Sequence, residues 1–294
     1  MSNQQTQDNN TPLVRHEHDE KTGIHRIILD RPKARNAISR KVLQELDSCL
    51  DRVEDASPPP QTHPARCLIL CSSSDKAFCA GADLAERRTM SPEEIIEYLS
   101  KLRIVMDKLQ NMPVPTIAAI DGPALGGGLE LALCCDFRIA ALARQPAAEG
   151  ENSESAPLRP LLGFPECQLG IIPGAGGTQR AARLLGVSRA KSLVFTGKLL
   201  DAEEAHSWGL VEYVCDSPSQ SAVERAIELA QKMQKSAPLA LSAAKAAIDV
   251  GEEMDLQPGL DWEAACYHAL LPTQDRREAL TAFAEKRKPQ FQGR

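Results

Sequence analysis

The chain has 294 residues, a formal net charge of −6 and a pI of about 5.6. Its 43% hydrophobic and 25% charged residues are ordinary for a globular protein with a sizeable core. The acidic balance argues against non-specific binding of nucleic acid and gives no sign of an anionic membrane partner. Residues 116–135, the longest apolar stretch, contain Asp121 and Glu130, which is not typical of a transmembrane helix. The nine cysteines include no Cys-x-x-Cys pair, so we interpret them as small buried residues and expect no metal site.

The first half of the chain alternates between strand and helix patterns. Residues 1–13 are predicted to form a disordered tail, because they begin with a Gln- and Asn-rich stretch. Asn36 and Ser39 can cap the first helix. Strands are predicted at residues 24–29, 67–70, 116–120 and 137–140. Helices are predicted at residues 40–54, at 91–110, and from within a triple glycine through residues 131–135. This order predicts an α/β fold with right-handed crossovers.

The second half begins with a polar, low-complexity insert at residues 145–160, which we interpret as a surface loop. After Val214 the patterns are helical. Helices are predicted at residues 219–235, 238–250, 256–270 and 273–286. A boundary near residue 215 is therefore expected, with a catalytic core at 14–215 and a helical part at 216–294.

Three consecutive glycines, Gly126, Gly127 and Gly128, stand where a helix begins. In a helix interior each costs about 1 kcal/mol relative to alanine. Either a ligand lies against the backbone, with the N–H of Gly127 directed at a developing oxyanion, or the helix packs closely on a neighbour. The residues alone leave both explanations open.

A second glycine segment follows the strand at residues 67–70. Gly81 allows a sharp turn, after which the N–H of Ala82 is a plausible second oxyanion donor, and Asp83 is better interpreted as a helix cap than as an acid. The loop that starts at Pro173 and Gly174 lacks a Gly-Lys-Ser/Thr ending. No Gly-x-Gly-x-x-Gly follows a first strand, so nucleotide hydrolysis and a dinucleotide cofactor are poor interpretations.

Two glutamates, Glu130 and Glu166, accompany these glycines. Taken singly, a first-turn Glu130 is more often a helix cap, and a loop glutamate such as Glu166 is more often solvated. Together, beside backbone N–H groups, they suit proton transfer on a carbonyl compound whose oxygen is held in an oxyanion hole.

Several segments resemble the enoyl-CoA hydratase (crotonase) superfamily, from about residue 14 to the end. They read Phe-Cys-Ala-Gly-Ala-Asp-Leu at 78–84, Ile-Asp-Gly-Pro-Ala-Leu-Gly-Gly-Gly-Leu-Glu at 120–130, Cys-Asp-Phe-Arg-Ile-Ala at 135–140 and Ile-Ile-Pro-Gly-Ala-Gly-Gly-Thr-Gln-Arg at 171–180. The resemblance implies a crotonase-like α/β spiral of repeated ββα units with a C-terminal helical trimerisation domain. It also implies a homo-trimer, or a hexamer formed as a dimer of trimers.

The resemblance further implies how an acyl-CoA thioester would bind. Its carbonyl would lie between the N–H groups of Ala82 and Gly127, with Glu130 and Glu166 matching the two carboxylates of true hydratases. Coenzyme A is then part of the substrate, and no separate cofactor is expected. Substrate contacts are expected from Ala80, Asp83, Leu84, Gly128, Pro173 and Gly174. CoA contacts are expected from Lys33, Arg35 and Ala37, and from Phe283 and Lys286 of the C-terminal part, with Lys286 supplied by a neighbouring subunit.

Within the superfamily, residues 112–122 and 263–267 are most similar to the methylglutaconyl-CoA hydratase branch. A methylglutaconyl group carries a second carboxylate, for which Arg87 is the candidate cation, although a solvated helix arginine is the alternative. RNA-binding members of the branch carry a comb of lysines on the helix that corresponds to 40–54. That comb is largely missing here, so nucleic acid is not an expected partner.

The expected function is syn hydration of a 2-enoyl-CoA, with a methylglutaconyl-CoA-type hydratase of leucine catabolism as the expected member. The alternatives are another acyl-CoA activity (an isomerase, or a broad short-chain hydratase, including one in secondary metabolism), an RNA-binding role, or a scaffold without activity. The resemblance implies the mitochondrial matrix, whereas the absence of a visible presequence favours the cytoplasm.

Overall fold

The computed structural model describes residues 11–57, 65–144 and 159–294. The expected tail, up to residue 10, and the expected insert, from residue 145 to 158, lie outside these ranges. The strands are β1 Val14–Asp19, β2 Ile24–Leu29, β3 Cys67–Ser72, β4 Thr116–Ile120, β5 Ala124–Leu125, β6 Phe137–Ala140, β7 Leu162–Gly163, β8 Leu199–Leu200 and β9 Tyr213–Val214.

These strands form two sheets. The larger has six strands in the order β1-β2-β3-β4-β6-β9, and only the β1–β2 pair is antiparallel. The smaller has three strands in the order β5-β7-β8. Every residue of β4 and nearly every residue of β3 is buried, as expected for central parallel strands that are covered on both faces. The chain therefore passes from the large sheet to the small one and then into a helix, as in β4, β5 and the helix at residue 127.

The helices are α1 Arg40–Asp55, α2 Leu84–Arg87, α3 Pro92–Gln110, α4 Gly127–Ala132, α5 Gly177–Leu185, α6 Val187–Thr196, α7 Ala202–Trp208, α8 Ala222–Met233, α9 Pro238–Gly251, α10 Leu256–Leu270 and α11 Gln274–Ala284. Short 3-10 helices span Pro32–Ala34 and Glu166–Leu169. Ser91 and Glu94 form a capping box at the start of α3, which explains why that helix was predictable.

Three local expectations need correction. Residues 14–19, for which no strand was predicted, form β1 because they pair along their whole length with β2. The helix predicted through residue 135 ends at Ala132, since the N–H groups of Cys134 and Cys135 bond three residues back, as in a turn. Ser39 caps α1, and Asn36 does not. The buried side-chain amide of Asn36 instead donates to Ser72 Oγ and to the carbonyls of residues 77 and 78.

Two apolar layers cover the two faces of the large sheet. One layer packs under α1 and α3 and reaches the small sheet. The other is closed by α8, whose Ala222, Ala226 and Ala230 are buried against the sheet. The helices α9, α10 and α11 follow α8, and α9 packs along α10. The division at residue 215 stays a prediction. None of the helices in the described ranges is long and apolar enough to cross a membrane.

Candidate active site

A cavity of about 500 Å³ opens between α2, α3, the start of α4 and the 3-10 helix at Glu166–Leu169. Both predicted glutamates line it, and so do Ala82 and Gly127. Most of the remaining wall is apolar, with Leu99 and Leu102 contributed by α3. Residues that are far apart in sequence therefore share one largely apolar cavity, which is the usual form of a small-molecule site.

The backbone N–H groups of Ala82 and Gly127 lie on opposing segments of this cavity. Gly81 has φ +92°, and a Cβ added there would lie 2.8 Å from Leu125 O and 3.2 Å from Gly127 N. Ile38 pairs with this segment, because its N–H donates to Gly81 O at 2.8 Å and its carbonyl accepts from Asp83 N at 3.2 Å. These bonds flank Ala82 without using its N–H. Neither Ala82 N–H nor Gly127 N–H donates a hydrogen bond to any residue in the described ranges, so both are available as donors to a ligand.

The surroundings of the three glycines before Glu130 differ, as the position of an added Cβ shows for each of them. Gly126 has φ +52°, and an added Cβ would lie 2.5 Å from Glu166 Oε1. At Gly127 a Cβ would lie at the ordinary distance of 3.5 Å from Gly81 Cα and 3.7 Å from Ala82 N. At Gly128 it would lie 2.1 Å from Cys79 O, because α4 packs directly on that backbone. Close packing therefore accounts for Gly128, and the role of the Gly127 N–H towards an oxyanion stays a prediction.

The carboxylate of Glu130 is buried and held by backbone donors. Its Oε1 accepts from Ala175 N at 2.8 Å and from Gly177 N at 2.7 Å. Gly177 allows this approach, since a Cβ there would lie 3.0 Å from the same oxygen. Burial raises the pKa of Glu130, while the two N–H donors and the charges of Arg180 and Arg103 act in the opposite direction.

Glu166 stands on the 3-10 helix and is 9% exposed. Burial raises the pKa of its carboxyl to about 7, and the charge of Glu130 adds to that shift. Its Oε2 atom is buried and has no hydrogen-bond partner among the described residues. An unpaired buried carboxylate oxygen is costly, so a proton or a bound ligand would stabilise it.

Four of the expected substrate contacts line the cavity, namely Ala80, Leu84, Arg87 and Gly174. The guanidinium of Arg87 lies 4.4 Å from the centre of the Tyr98 ring. Its buried Nε has no hydrogen-bond partner, and no carboxylate of the described ranges forms an ion pair with it. The expectation of a solvated helix arginine therefore does not describe Arg87, which is half-buried in the wall of the site.

Three other expected substrate contacts do not line this cavity. Gly128 faces Cys79, as described above. Asp83 caps α2 by accepting from the N–H groups of residues 85 and 86, both at 3.1 Å, and it pairs with Arg31 at 2.6 Å. Pro173 lines a neighbouring polar cavity of about 560 Å³. The expectation for Asp83 as a helix cap is confirmed, and direct substrate contact by these three residues stays a prediction.

The expected CoA-binding residues fall into two groups. Lys33, Arg35 and Ala37 lie on the segment before α1, which is attached to the edge of the cavity because Arg35 O accepts from Ala80 N at 2.9 Å. Phe283, near the end of α11, and Lys286 do not line the cavity of their own chain. The CoA contacts expected of both groups stay a prediction.

The cavity residues that sequence reasoning missed include Ile38 and Arg103. Arg103 lies on the exposed face of α3 and donates through Nε to Gly174 O at 2.9 Å. A helical pattern distinguishes buried from exposed faces, but it does not show which loop an exposed arginine meets. In the described ranges no group of three or more His, Cys, Asp and Glu side chains is arranged to hold a metal ion.

Two opposing N–H groups beside two buried carboxylates define a site for activating a carbonyl and moving protons next to it. Comparison with known proteins assigns the family: residues 19–294 match the enoyl-CoA hydratase/isomerase family, and the chain belongs to it. This confirms the superfamily resemblance and the expectation of an enzyme of the hydro-lyase class.

Individual relatives agree with this assignment. The enoyl-CoA isomerase/hydratase fer4 of Mycosarcoma maydis is 51% identical, over 94% of each chain. The mitochondrial methylglutaconyl-CoA hydratase of Homo sapiens is 41% identical, over 95% of this chain and 77% of its own. The solved structure of an enoyl-CoA hydratase from Bacillus anthracis superimposes with a TM-score of 0.83 at 41% identity, over 96% of this chain and 100% of its own. The crotonase-like α/β fold with a helical C-terminal region is therefore confirmed.

Proposed function

We propose that this enzyme adds water reversibly and syn across the 2,3 double bond of a 2-enoyl-CoA thioester. One observation carries the proposal. Glu130 and Glu166 line the same cavity as the N–H groups of Ala82 and Gly127, and those N–H groups have no partner among the described residues. Isomerisation needs only one group that moves a proton between carbons. Two carboxylates suit hydration, in which an oxygen and a proton are added to neighbouring carbons.

In the proposed reaction the thioester oxygen accepts hydrogen bonds from Ala82 N and Gly127 N. Polarisation of the carbonyl makes the β-carbon electrophilic. Glu130 holds a water molecule and takes one of its protons, and the remaining hydroxide forms the bond to the β-carbon. Glu166 gives a proton to the α-carbon, so the pair carries one proton before and after the step. No other reactant is needed.

The electrostatics of the pair support this division of roles. Burial raises the pKa of Glu130, but two N–H donors and two arginines oppose that rise and favour the ionised form, which suits a base. Glu166 lacks such donors on Oε2, and its pKa of about 7 allows it to hold a proton near neutral pH, which suits an acid.

Replacement of either glutamate tests the proposal. We expect Glu130→Gln and Glu166→Gln each to lower kcat by roughly 10²- to 10⁴-fold, because a positioned acid or base contributes that much. Loss of the enoyl-thioester absorbance of crotonyl-CoA measures the rate. Calorimetric titration with a CoA ester should show that binding persists. Glu203→Gln, on the exposed surface of α7, is the control. Near-normal hydration by the Glu166→Gln variant would contradict the assignment.

For the acyl group we propose a methylglutaconyl-type substrate, whose second carboxylate would pair with Arg87. The human relative named methylglutaconyl-CoA hydratase supports this, as does an arginine in the cavity wall without a carboxylate partner in the described ranges. Stacking on Tyr98 positions the guanidinium beside the bound acyl chain.

The substrate proposal predicts a change in selectivity. In Arg87→Ala, kcat/KM for methylglutaconyl-CoA should fall about 10- to 100-fold relative to that for crotonyl-CoA, since hydrogen bonds to charged groups contribute about 1.5 to 3 kcal/mol. Arg88→Ala is the matched control, because Arg88 is the next residue and is exposed. An unchanged ratio of the two kcat/KM values would reject Arg87 as the specificity residue.

Isomerisation is the second candidate, favoured by the relative that is named an isomerase/hydratase. Incubation with a 3-enoyl-CoA distinguishes the two, because an isomerase would produce the conjugated thioester and raise its absorbance.

A mitochondrial location is part of the proposal and is supported by the names of the human and Arabidopsis thaliana relatives. RNA binding has no support from α1, which carries Arg40, Lys41 and Arg52 among five acidic residues.

A further inference from the structure

The loop before α5 holds the catalytic carboxylate through two N–H groups. Ala175 N and Gly177 N both donate to Glu130 Oε1. The position of that oxygen therefore depends on the position of a short loop that contains two glycines, Gly176 and Gly177. Such a loop is conformationally permissive unless other contacts fix it.

Arg180, on the first turn of α5, folds back onto this loop. Its Nη1 donates to Ala175 O at 3.0 Å, so one peptide segment accepts from Arg180 and donates to Glu130. Gly176, with φ +109°, makes room for the arginine, since a Cβ there would lie 2.1 Å from Nη1. The glycine is therefore required by the guanidinium as well as by the turn.

Two side chains of α3 hold the other nitrogen atoms of the same guanidinium. Its Nε donates to Gln110 Oε1 at 2.7 Å, and its Nη2 donates to Asp107 Oδ1 at 2.9 Å. The side chain of Arg180 is only 18% exposed. An arginine suits this position because its planar group presents several donors in a fixed geometry, which lysine cannot do. A continuous set of contacts thus connects α3, Arg180, the loop and Glu130.

We propose that Arg180 is a positioning residue for Glu130: it fixes the loop at residues 175–177 so that Glu130 Oε1 is held by two N–H groups and its other oxygen can hold the reacting water. The inference rests on the proposed hydration reaction. Arg180 does not line the main cavity, so the proposal gives it no contact with the substrate.

Charge supports the geometry. Glu130 is faced by Glu166 from the 3-10 helix, Arg103 from α3 and Arg180 from α5, and Cys134 lies beyond it at the end of α4. The positive charge of Arg180 lowers the pKa of Glu130 against the effect of burial. Removal of that charge should raise the pKa of Glu130, so a larger fraction of its carboxyl group would be protonated at a given pH.

The first experiment replaces Arg180 by Gln and by Lys. We expect Arg180→Gln to lower kcat about 10- to 100-fold with little change in KM, since small misplacements of a catalytic group have effects of that size. The acidic limb of kcat/KM should move to higher pH. Arg180→Lys keeps the positive charge but loses the planar set of donors. Its acidic limb of kcat/KM should therefore stay at the wild-type pH, while its kcat should still be lowered. Arg183→Gln is the control, because Arg183 lies one turn further on α5 and pairs with Glu253 on the surface.

Asp107→Asn provides a second variant in case Arg180→Gln does not fold. Asp107 is 64% exposed and orients Arg180 without reaching the loop, so its replacement should leave folding intact. We expect a smaller loss of kcat in the same direction. Unchanged kcat and pH profile in both Asp107→Asn and folded Arg180→Gln would overturn the proposal.

A double-mutant cycle separates this proposal from a general structural role. With Glu130 already replaced by Gln, Arg180→Gln should cause little further loss, because its effect acts through the Glu130 carboxylate. An equal loss in both backgrounds would overturn the proposal. If the Glu130→Gln variant stays active, the proposed hydration mechanism is wrong. If Glu130→Gln is impaired but Arg180→Gln is fully active, the hydration mechanism stands and the proposed role of Arg180 is wrong.

Discussion

Glu130 and Glu166 have the same side chain but different surroundings, and the difference decides what each can do. Two backbone N–H groups hold Glu130 Oε1, whereas Glu166 Oε2 is buried without a partner among the described residues. Hydrogen bonds to an ionised carboxylate stabilise it, and burial without them favours the protonated form. In the proposed mechanism this difference in local environment makes Glu130 the base and Glu166 the acid.

A pH profile tests this separation. Because the pKa of Glu166 is raised to about 7, its proton is present below that pH and is lost as pH rises through it. If the active pair carries one proton, kcat/KM should decrease above about pH 7, by about tenfold for each pH unit. Hydration consumes no net proton, so dehydration of the 3-hydroxyacyl-CoA should show the same limb. Profiles that stay flat well above neutral pH, in either direction, would contradict the assigned acid.

The sequence allowed both glutamates to be identified, but only through their neighbours. Glu130 and Glu166 are separated by 36 positions, and nothing in their local pattern says that they share a cavity. The role of Gly128 could not be predicted either. It depends on Cys79 O, which a parallel crossover brings to 2.1 Å from the position where a Cβ would stand. Contacts of that kind arise from packing between distant segments.

At the scale of elements, α4 shows how one helix start serves two purposes. Its first residue, Gly127, faces the N–H of Ala82, and the next, Gly128, packs on the backbone of Cys79. The helix dipole and the unpaired first-turn N–H groups favour negative charge at this end. The close packing of Gly128 fixes the helix so that this end points into the cavity.

Alanine substitutions should separate these two purposes. In Gly128→Ala the new Cβ would lie 2.1 Å from Cys79 O, so the backbone must move, and we expect a marked loss of Tm or of folded protein. In Gly127→Ala the nearest atom is 3.5 Å away, so we expect Tm to stay near the wild-type value. The methyl group would nevertheless lie 3.7 Å from Ala82 N, the other proposed donor, and hydration of crotonyl-CoA should fall sharply.

Thermal unfolding measured by circular dichroism, together with the crotonyl-CoA assay, distinguishes the variants. If Gly127→Ala were fully active, or if Gly128→Ala were as stable as the wild type, the division of roles would be wrong.

The elements that were predictable carry their signals locally. The capping box at Ser91 marks the start of α3. Short apolar segments that alternate with helical patterns allowed the central strands to be predicted. By contrast, β1 is polar enough to resemble a tail, and it is a strand only because β2 offers a partner for all six of its residues. Pairing between two segments is not visible in the residues of either segment alone.

At the scale of the whole molecule, the C-terminal helices leave apolar side chains on the surface of the single chain. Ile248 on α9 is 68% exposed, Leu256 on α10 is 79% exposed, and Phe283 on α11 is 86% exposed. A surface of this kind commonly marks an interaction between proteins. The family resemblance implies contact between copies of this chain, in which Lys286 is expected to reach the expected CoA-binding segment of a neighbour.

Light scattering after size-exclusion chromatography should therefore give a mass three or six times the 32.0 kDa of one chain. Leu256→Glu places a charge in the exposed apolar surface, so it should reduce the mass, and it should raise KM for crotonyl-CoA if a neighbour completes the CoA site. Because Leu256 is exposed in the single chain, the substitution should leave the fold of that chain intact, as circular dichroism can check. Gln257→Glu adds the same charge at the next exposed position and serves as the control. A wild-type protein that is fully active at the mass of one chain would show that the exposed helices complete no site and that the cavity described above works alone.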